Sequence, residues 1–310
     1  MPSIADHHFP RLVWVNGKRR LWNPIQRKPL KIRPEERVRL RILDALVEAG
    51  WSKQRISTEE AVRGEKPAGG RADMICYDRE FNPRILVECK AESVPISQKV
   101  AEQTARYNRS IGAEYLLMTN GNADLWYRIS DREAIKRLEG VPGLLSVPEE
   151  RPIREFSYWN ARGMAGERAQ PKLRILLTEI LNHYWQQSAG DNRFLSFENS
   201  PFEFELAHYF RIFTWGESRK IAVSFLSTPA GDTRLVALFN REQKTIGLVE
   251  VDVDRLYAGD KPSGILYSPE GETRFDGRQI LPLAEDADAG ELVSGLPDTL
   301  CTLFNRTVQG

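Results

Sequence analysis

The sequence is poor in cysteine: Cys76, Cys89 and Cys301 are the only three in 310 residues, and their spacing matches no metal-binding motif. A disulfide framework and a zinc knuckle are therefore excluded, so any metal ion must be held by oxygen ligands. No uninterrupted apolar run approaches the roughly 18 residues that a membrane-spanning helix needs, and residues 1–12 lack the apolar region of a signal peptide. We expect a cytoplasmic protein without membrane contacts.

The sequence also lacks a substantial net charge, which is only +1, but this sum hides a strong asymmetry. Residues 11–41 contain eleven Lys and Arg against two acids, whereas residues 250–299 contain twelve acids against four bases. The basic stretch includes Trp14 and Trp22, and cations interleaved with aromatic rings suit a partner that offers phosphates and stackable bases. The pattern favours nucleic acid, although a solvated basic hairpin is the simpler alternative.

The length exceeds that of a usual single domain, and 41% hydrophobic residues indicate a globular chain. In the first half, apolar spacing and turn residues predict two helices and five strands in the order α, three β, α, two β. The helices are expected at 34–50 and 97–111, and the strands at 56–62, 72–77, 84–90, 114–119 and 125–129. Strands that flank a helix in this way imply an α/β domain whose mixed sheet has at least one crossover.

The second half has a different pattern. Residues 131–163 are punctuated by Gly and Pro and predict a connector. A helix at 171–187 and strands at 202–206, 220–226, 234–239 and 245–253 follow. The chain is thus divided into a basic N-terminal arm (1–33), the α/β domain (34–130), the connector and a second, α+β domain (164–310) of unassigned role.

The strongest chemical feature lies on two consecutive strands. Asp73 enters one strand, and Glu88 and Lys90 end the next, where alternation places them on one face. If the strands pair across the Asn82–Pro83 turn, Asp73 comes within reach of Glu88. Two neighbouring carboxylates repel each other unless a cation lies between them, so the pattern indicates Mg²⁺, for which Mn²⁺ can substitute.

Lys90 and two polar positions on the second helix complete a candidate catalytic set. An ammonium beside a metal-bound carboxylate can orient a water and offset charge on a scissile phosphate. Gln103 and Tyr107 are four residues apart on one helical face, suited to bind a nucleic acid backbone. Glu36, in the first turn of the first helix, points toward the packed layer, and its neighbour Glu35 is the alternative for this acid.

Residues 20–130 resemble a known family, on the basis of LWNPIQRKPLKIRPEERVR, RADMICYDRE, RILVECKAES, the QTARY helix and YLLMTNG. They are similar to the N-terminal nuclease domain of type I restriction enzyme R subunits, a branch of the PD-(D/E)XK, restriction-endonuclease-like superfamily. The resemblance implies that Asp73, Glu88 and the carbonyl of Cys89 are metal ligands and that Lys90 is the catalytic lysine. It also implies that Glu36 is the helix acid and that Gln103 and Tyr107 form a QxxxY motif.

The function expected from these residues and this resemblance is Mg²⁺-dependent hydrolysis of DNA by an endonuclease, within a restriction-modification or defence system. The products would carry a 5′-phosphate and a 3′-hydroxyl. No G-x-x-x-x-G-K-[ST] loop occurs in the 310 residues, so we expect no ATP site. The alternatives are a catalytically silent module that binds nucleic acid and a module that recruits a motor or methylase subunit. A homodimer is also left open.

Overall fold

The computed structural model describes residues 1–61, 71–130, 134–148, 150–186, 191–197, 201–202, 204–242, 244–284 and 287–308. The chain forms two compact units. The first comprises residues 1–11 and 20–152, and the second comprises residues 12–19 and 153–310. The division at 152 falls inside the stretch that the sequence predicts as a connector. None of the helices in the described ranges is long and apolar enough to cross a membrane.

The N-terminal arm contains three short strands, whose bounds were not predicted, although a basic hairpin was the simpler alternative for this stretch. They are β1 (Leu12–Val15), β2 (Lys18–Asn23) and β3 (Lys28–Leu30). β2 and β3 form a hairpin in which Leu21 pairs with Leu30. Asn23 closes the turn, since its Oδ1 accepts hydrogen bonds from the N–H groups of Ile25 and Gln26. The arm is therefore folded, and its loop residues are held by local side-chain capping.

The first unit contains a six-stranded mixed sheet with two helices, and its strand order follows the chain from β4 to β9. Its elements are α1 (Pro34–Glu48), β4 (Ile56–Ala61), β5 (Arg71–Tyr77), β6 (Pro83–Cys89), α2 (Gln98–Ile111), β7 (Tyr115–Thr119), β8 (Asp124–Ser130) and β9 (Ala134–Arg137).

The predicted order of helices and strands in this domain is confirmed. β6 and β7 are parallel, and α2 provides the crossover between them, whereas the other neighbouring strands are antiparallel. Val62, the last residue of the first predicted strand, lies outside the described residues, and β9 was not predicted. α2 ends at Ile111 and is capped by Gly112, whose φ of 78° is in the left-handed region that glycine adopts without steric cost.

Helix α1 is buried more completely than an amphipathic pattern predicts. Its apolar residues Val38, Ile42 and Leu46 are fully buried, and Arg37, Arg39 and Arg41 on other sides of the helix are also buried, at 5–8% exposure. Arg41, for example, donates to the carbonyls of Ala5, His8 and Gly121. These three arginines and Arg19 belong to the eleven basic residues of 11–41, so the free positive charge of that stretch is smaller than its sequence indicates.

The second unit is built on a seven-stranded antiparallel sheet in the order β10 to β16. Its elements are α3 (Phe156–Ala161), α4 (Pro171–Gln186), β10 (Asp191–Phe197), β11 (Leu206–Trp215), β12 (Arg219–Ser227), β13 (Thr233–Arg241), β14 (Lys244–Asp252), α5 (Val253–Ala258), β15 (Gly264–Ser268), β16 (Gly271–Phe275) and α6 (Ala289–Val308).

One strand predicted for this unit is wrong. The alternating residues 202–206 indicate a strand, but Phe202, Phe204 and Glu205 lie outside strands, and β11 begins only at Leu206. The rings of Phe202 and Phe204 stack on each other, with centroids 5.1 Å apart. The stacked rings of Phe202 and Phe204 lie on the same side of the chain, as they would in a β-strand. Alternation of apolar and charged residues therefore does not distinguish a strand from this irregular segment. Glu203 lies outside the described residues.

Candidate active site

Asp73 and Glu88 lie across from each other on paired strands. β5 and β6 are antiparallel neighbours, and Met74 pairs with Val87, which places Asp73 opposite Glu88 one position further along. Opposite residues of an antiparallel pair project from the same face of the sheet. Their charges interact, because Asp73 contributes to a raised pKa of Glu88, after the larger effect of burial. The predicted pairing of the two strands is confirmed.

Both oxygens of the Asp73 carboxylate accept hydrogen bonds from groups of the protein. The backbone N–H of Cys89 donates to Oδ2 at 2.7 Å, and Nη2 of Arg39 donates to Oδ1 at 2.9 Å. The first bond joins β5 to the end of β6, and the second joins β5 to α1. Charged hydrogen bonds of this length are strong, so the orientation of Asp73 is fixed by two separate elements.

Glu88 and Lys90 form an ion pair at the end of β6. Lys90 Nζ lies 2.6 Å from Glu88 Oε1, and the backbone N–H of Lys90 donates to the carbonyl of Thr119 at 2.8 Å. Burial disfavours the charged form of Lys90, but its hydrogen bond to Glu88 and the charge of that carboxylate raise its pKa overall. Lys90 therefore stays an ammonium at neutral pH and is placed to donate hydrogen bonds beside Glu88.

Glu36 is the acid of the first turn of α1 that faces the sheet. Its Oε2 accepts from Arg39 Nη1 at 2.8 Å, and its Oε1 is buried without a hydrogen-bond partner. Burial raises the pKa of Glu36, and the nearby charges of Glu59 and Asp73 raise it further, against the opposing effect of Arg39. Glu35 is exposed at the surface. The geometry thus places Glu36, and not Glu35, with the acids of the sheet.

Two residues of this cluster were missed in the sequence analysis, Arg39 and Glu59. Arg39 Nη1 lies 3.6 Å from Glu59 Oε1 on β4, in addition to its contacts with Glu36 and Asp73. The signal for Arg39 was its position three residues after Glu36, a spacing that puts both on one helical face. Glu59 has a φ of 56°, which is unusual for a non-glycine residue in a strand. Nothing in the sequence around Glu59 indicates this conformation or its place in the cluster.

The remaining predicted site residues are Cys89, Gln103 and Tyr107. The Cys89 thiol is buried, and burial raises its pKa far above the usual range, so the thiol stays protonated. Its backbone N–H is the donor to Asp73. Gln103 and Tyr107 fall within α2 at the predicted spacing of one turn, but their side chains lie outside the described residues.

The chemistry of the cluster is that of carboxylates compensated by two cations. Within the described ranges, no group of three or more His, Cys, Asp and Glu side chains is arranged to hold a metal ion. The donor types nevertheless suit Mg²⁺, which prefers carboxylate and carbonyl oxygens. The buried and unpartnered Oε1 of Glu36 is an acceptor that such a cation would satisfy. The donor types and this open acceptor therefore fit a divalent cation, although Arg39 and Lys90 now contact the carboxylates.

The cluster lies in a segment that matches a known family. Residues 34–142 match the family model described as the type I restriction enzyme R protein N terminus. No curated protein matches the chain, and no solved structure matches it. The family expected from the sequence is thereby confirmed as the one that residues 34–142 of this chain match.

Proposed function

We propose that the first unit is a Mg²⁺-dependent nuclease with a restriction-endonuclease-like core, which hydrolyses phosphodiester bonds of DNA within a restriction system. The observation that carries the proposal is the placement of Asp73 opposite Glu88, with Lys90 ion-paired to Glu88. The family match over 34–142 supports a nuclease-related role in restriction. DNA is therefore the substrate that we propose.

The roles of the residues follow from the donors that they offer. Asp73, Glu88 and the carbonyl of Cys89 would hold the metal ion, with Glu36 assisting directly or through water. A Mg²⁺ ion held by these residues would supply Lewis-acid chemistry, polarising the scissile P–O bond and lowering the pKa of a nearby water. Lys90 offers an ammonium that orients the attacking water and offsets the charge on the phosphate.

The substrate would be positioned by groups around the cluster. The β2–β3 hairpin and the residue after it carry the exposed basic side chains Arg27, Lys28 and Lys31. Gln26, in the turn of this hairpin, donates from its side-chain amide to Thr58 Oγ1 and Glu59 Oε2 at 3.4 Å each. This contact places the hairpin beside the acids. Gln103 and Tyr107 on α2 are the other groups that we propose to contact the phosphate backbone. Basic side chains next to a catalytic centre bind phosphates without regard to sequence.

The proposal is tested by incubating supercoiled plasmid and single-stranded DNA with the full chain and Mn²⁺ or Mg²⁺. We expect nicking that stops with a chelator and falls by at least about 100-fold in Asp73→Ala and Lys90→Ala. Lys53→Ala, which removes an exposed lysine of the same unit, is the matched control and should keep wild-type activity. Nicking that persists in both Asp73→Ala and Lys90→Ala would exclude this site as its source.

A second candidate function is a binding module that has lost cleavage. It is favoured by the engagement of Asp73 with Arg39 and of Glu88 with Lys90, which leaves no three-ligand group in the described ranges. Such a module would bind DNA with a steep salt dependence whether or not a metal is present, and would show no nicking.

A related role is recruitment of a motor or methylase subunit through the acidic residues 250–299. Co-purification of such a subunit without affinity for bare DNA would identify it.

A further inference from the structure

Arg39 occupies the centre of the acid cluster. Its guanidinium contacts carboxylates from three elements: Glu36 on α1 at 2.8 Å, Asp73 on β5 at 2.9 Å and Glu59 on β4 at 3.6 Å. The side chains of Arg39, Glu36 and Asp73 are only 9%, 11% and 17% exposed. A cation at this place is weakly screened by solvent and interacts strongly with Glu36 and Asp73, and less strongly with Glu59, whose side chain is 35% exposed.

The carboxylates of the cluster outnumber its cations. It contains four carboxylates, Glu36, Glu59, Asp73 and Glu88, and two cations, Arg39 and Lys90. With all groups ionised, the cluster carries two uncompensated negative charges, which one Mg²⁺ or Mn²⁺ would neutralise. Burial disfavours the charged form of Arg39, but the charges of Asp73 and Glu36 raise its pKa overall, so it stays charged.

The two donors that hold Asp73 differ in how easily they can leave. The N–H of Cys89 is part of the backbone at the end of β6, so it cannot withdraw from Oδ2 without disturbing the strand. Arg39 reaches Oδ1 with a flexible side chain. When it leaves Asp73, it can still be compensated by Glu36 and Glu59, so its release leaves no isolated buried charge.

We infer that Arg39 is a positioning residue that competes with a divalent cation for Asp73 Oδ1 and withdraws from this oxygen when the cation binds. Arg39 thereby lowers the affinity of the site for metal and keeps the acids together without it. This inference rests on the proposed function, since it assumes that Asp73 is a metal ligand. The ligand concerned is a divalent cation of the Mg²⁺ and Mn²⁺ class.

The experiment measures Mn²⁺ binding to the full chain by titration calorimetry, together with the unfolding temperature. In Arg39→Met the dissociation constant for Mn²⁺ should fall by roughly tenfold or more, because a positive charge next to Asp73 is removed. Without metal the variant should unfold at least about 5 °C below wild type, because buried acids lose their counter-ion. Saturating Mn²⁺ should raise its unfolding temperature by more than it raises that of wild type.

Arg37→Met is the matched control. Arg37 lies on the same helix, is equally buried and forms an ion pair with Glu92 at 2.7 Å. Its loss should lower the unfolding temperature but leave the Mn²⁺ dissociation constant within about twofold of wild type, since its charge does not lie between the acids of the cluster. Arg39→Lys keeps the charge but not the two separate nitrogens that bind Glu36 and Asp73, so its Mn²⁺ dissociation constant should lie between those of wild type and Arg39→Met. If Arg39→Met does not fold, Arg39→Gln takes its place with the same expectation.

The possible results separate the two proposals. Equal Mn²⁺ affinity in wild type and Arg39→Met, with binding lost in Asp73→Ala, would overturn the role of Arg39 and leave the metal site standing. An equal gain of affinity in Arg37→Met would also overturn it, because the effect would not be local. Absence of Mn²⁺ binding in every variant would remove the metal site, and with it both proposals.

Discussion

Cys89 holds Asp73 through its backbone, since its N–H donates a 2.7 Å hydrogen bond to Asp73 Oδ2. The carboxylate of Asp73 on β5 is thus held by the backbone at the end of β6, in the same segment that carries Glu88 and Lys90. Glu36 has no comparable backbone donor among its described contacts, and its carboxylate is held by the side chain of Arg39. The acid of the helix therefore depends on a side-chain ion pair, which makes it sensitive to substitution.

Glu36 and Glu35 can be separated by a pair of conservative substitutions. Glu36→Gln should lower the nicking rate by at least about tenfold, because a carboxylate beside the metal site loses its charge. The fold should be retained, since Arg39 keeps Asp73 and Glu59 as partners. Glu35→Gln changes an exposed side chain and should leave the rate unchanged. Rates are measured on plasmid with Mn²⁺, and a loss in Glu35→Gln alone would reverse the assignment.

Lys28 and Lys31 should contribute to DNA affinity through phosphate contacts. Both are exposed in or next to β3. Replacing both with Ala should reduce the slope of the logarithm of the binding constant against the logarithm of salt concentration by about 2, one for each lost contact. Fluorescence anisotropy with labelled duplex DNA, in a chelator that prevents cleavage, measures this slope.

The control for this measurement is Lys244→Ala, which removes an exposed lysine of the second unit and should leave the slope unchanged. If the Lys28 and Lys31 double variant keeps the wild-type slope, the β2–β3 hairpin does not contact phosphates. Proposals that place the DNA along it would then be wrong, whereas those on the metal site would be unaffected.

Much of the first unit could be predicted from local signals. Pro34, Glu35 and Glu36 begin α1 and Gly50 follows its end, as helix-terminus preferences indicate. The turn at Asn82 and Pro83 joins two strands of matching length, which was sufficient to bring Asp73 opposite Glu88. The helix ends and the turn depend on residues that are close together in the chain, so the local sequence is sufficient to predict them.

The position of Arg39 could not be predicted in the same way. An arginine on a helix is usually exposed. Only the fold of the unit brings Arg39 within reach of Glu59 on β4 and Asp73 on β5, which are distant from it in sequence. The burial of Arg19 in the arm likewise depends on long-range partners, among them the carbonyl of Ser227. Charge counted along the sequence therefore overestimates the basic surface, because it does not show which charges are compensated inside the fold.

His208 should make the second unit less stable in acid. Burial, together with the positive charge of Arg19, lowers the pKa of His208 to about 3. An unfolded histidine has a pKa near 6.5, so below this pH the unfolded chain binds a proton that the folded chain excludes. The free energy of unfolding should thus fall as pH decreases from about 6.5 toward 3, by up to about 1.4 kcal/mol per pH unit from this group.

The measurement is denaturant unfolding at pH 7, 6 and 5. His208→Gln removes the titrating ring, so its free energy of unfolding should decrease less steeply between pH 7 and pH 5 than that of wild type. His183→Gln replaces an exposed histidine on α4 and should keep the wild-type slope. A decrease in His208→Gln as steep as in wild type would show that other groups cause the acid sensitivity.

Gly166 should tolerate no side chain, for a reason independent of the active site. A Cβ at this position would lie 2.2 Å from the carbonyl oxygen of Gly231 and 2.4 Å from the carbonyl carbon of Asp232, both of them backbone atoms. The backbone N–H of Gly166 also donates to Thr233 Oγ1 at 2.9 Å, so the loop cannot shift freely. Gly166→Ala should lower the free energy of unfolding by about 2–4 kcal/mol, as expected for steric overpacking of a fixed backbone.

The matched control for Gly166 is Gly295, which lies within α6, where an added Cβ would meet no atom within 4 Å. Gly295→Ala should be neutral or stabilising by up to about 1 kcal/mol, because alanine loses less backbone entropy than glycine when a helix forms. Denaturant titrations of both variants give the two free energies of unfolding. Equal effects of the two substitutions would show that the close approach of the Gly231 and Asp232 backbone is not what limits position 166.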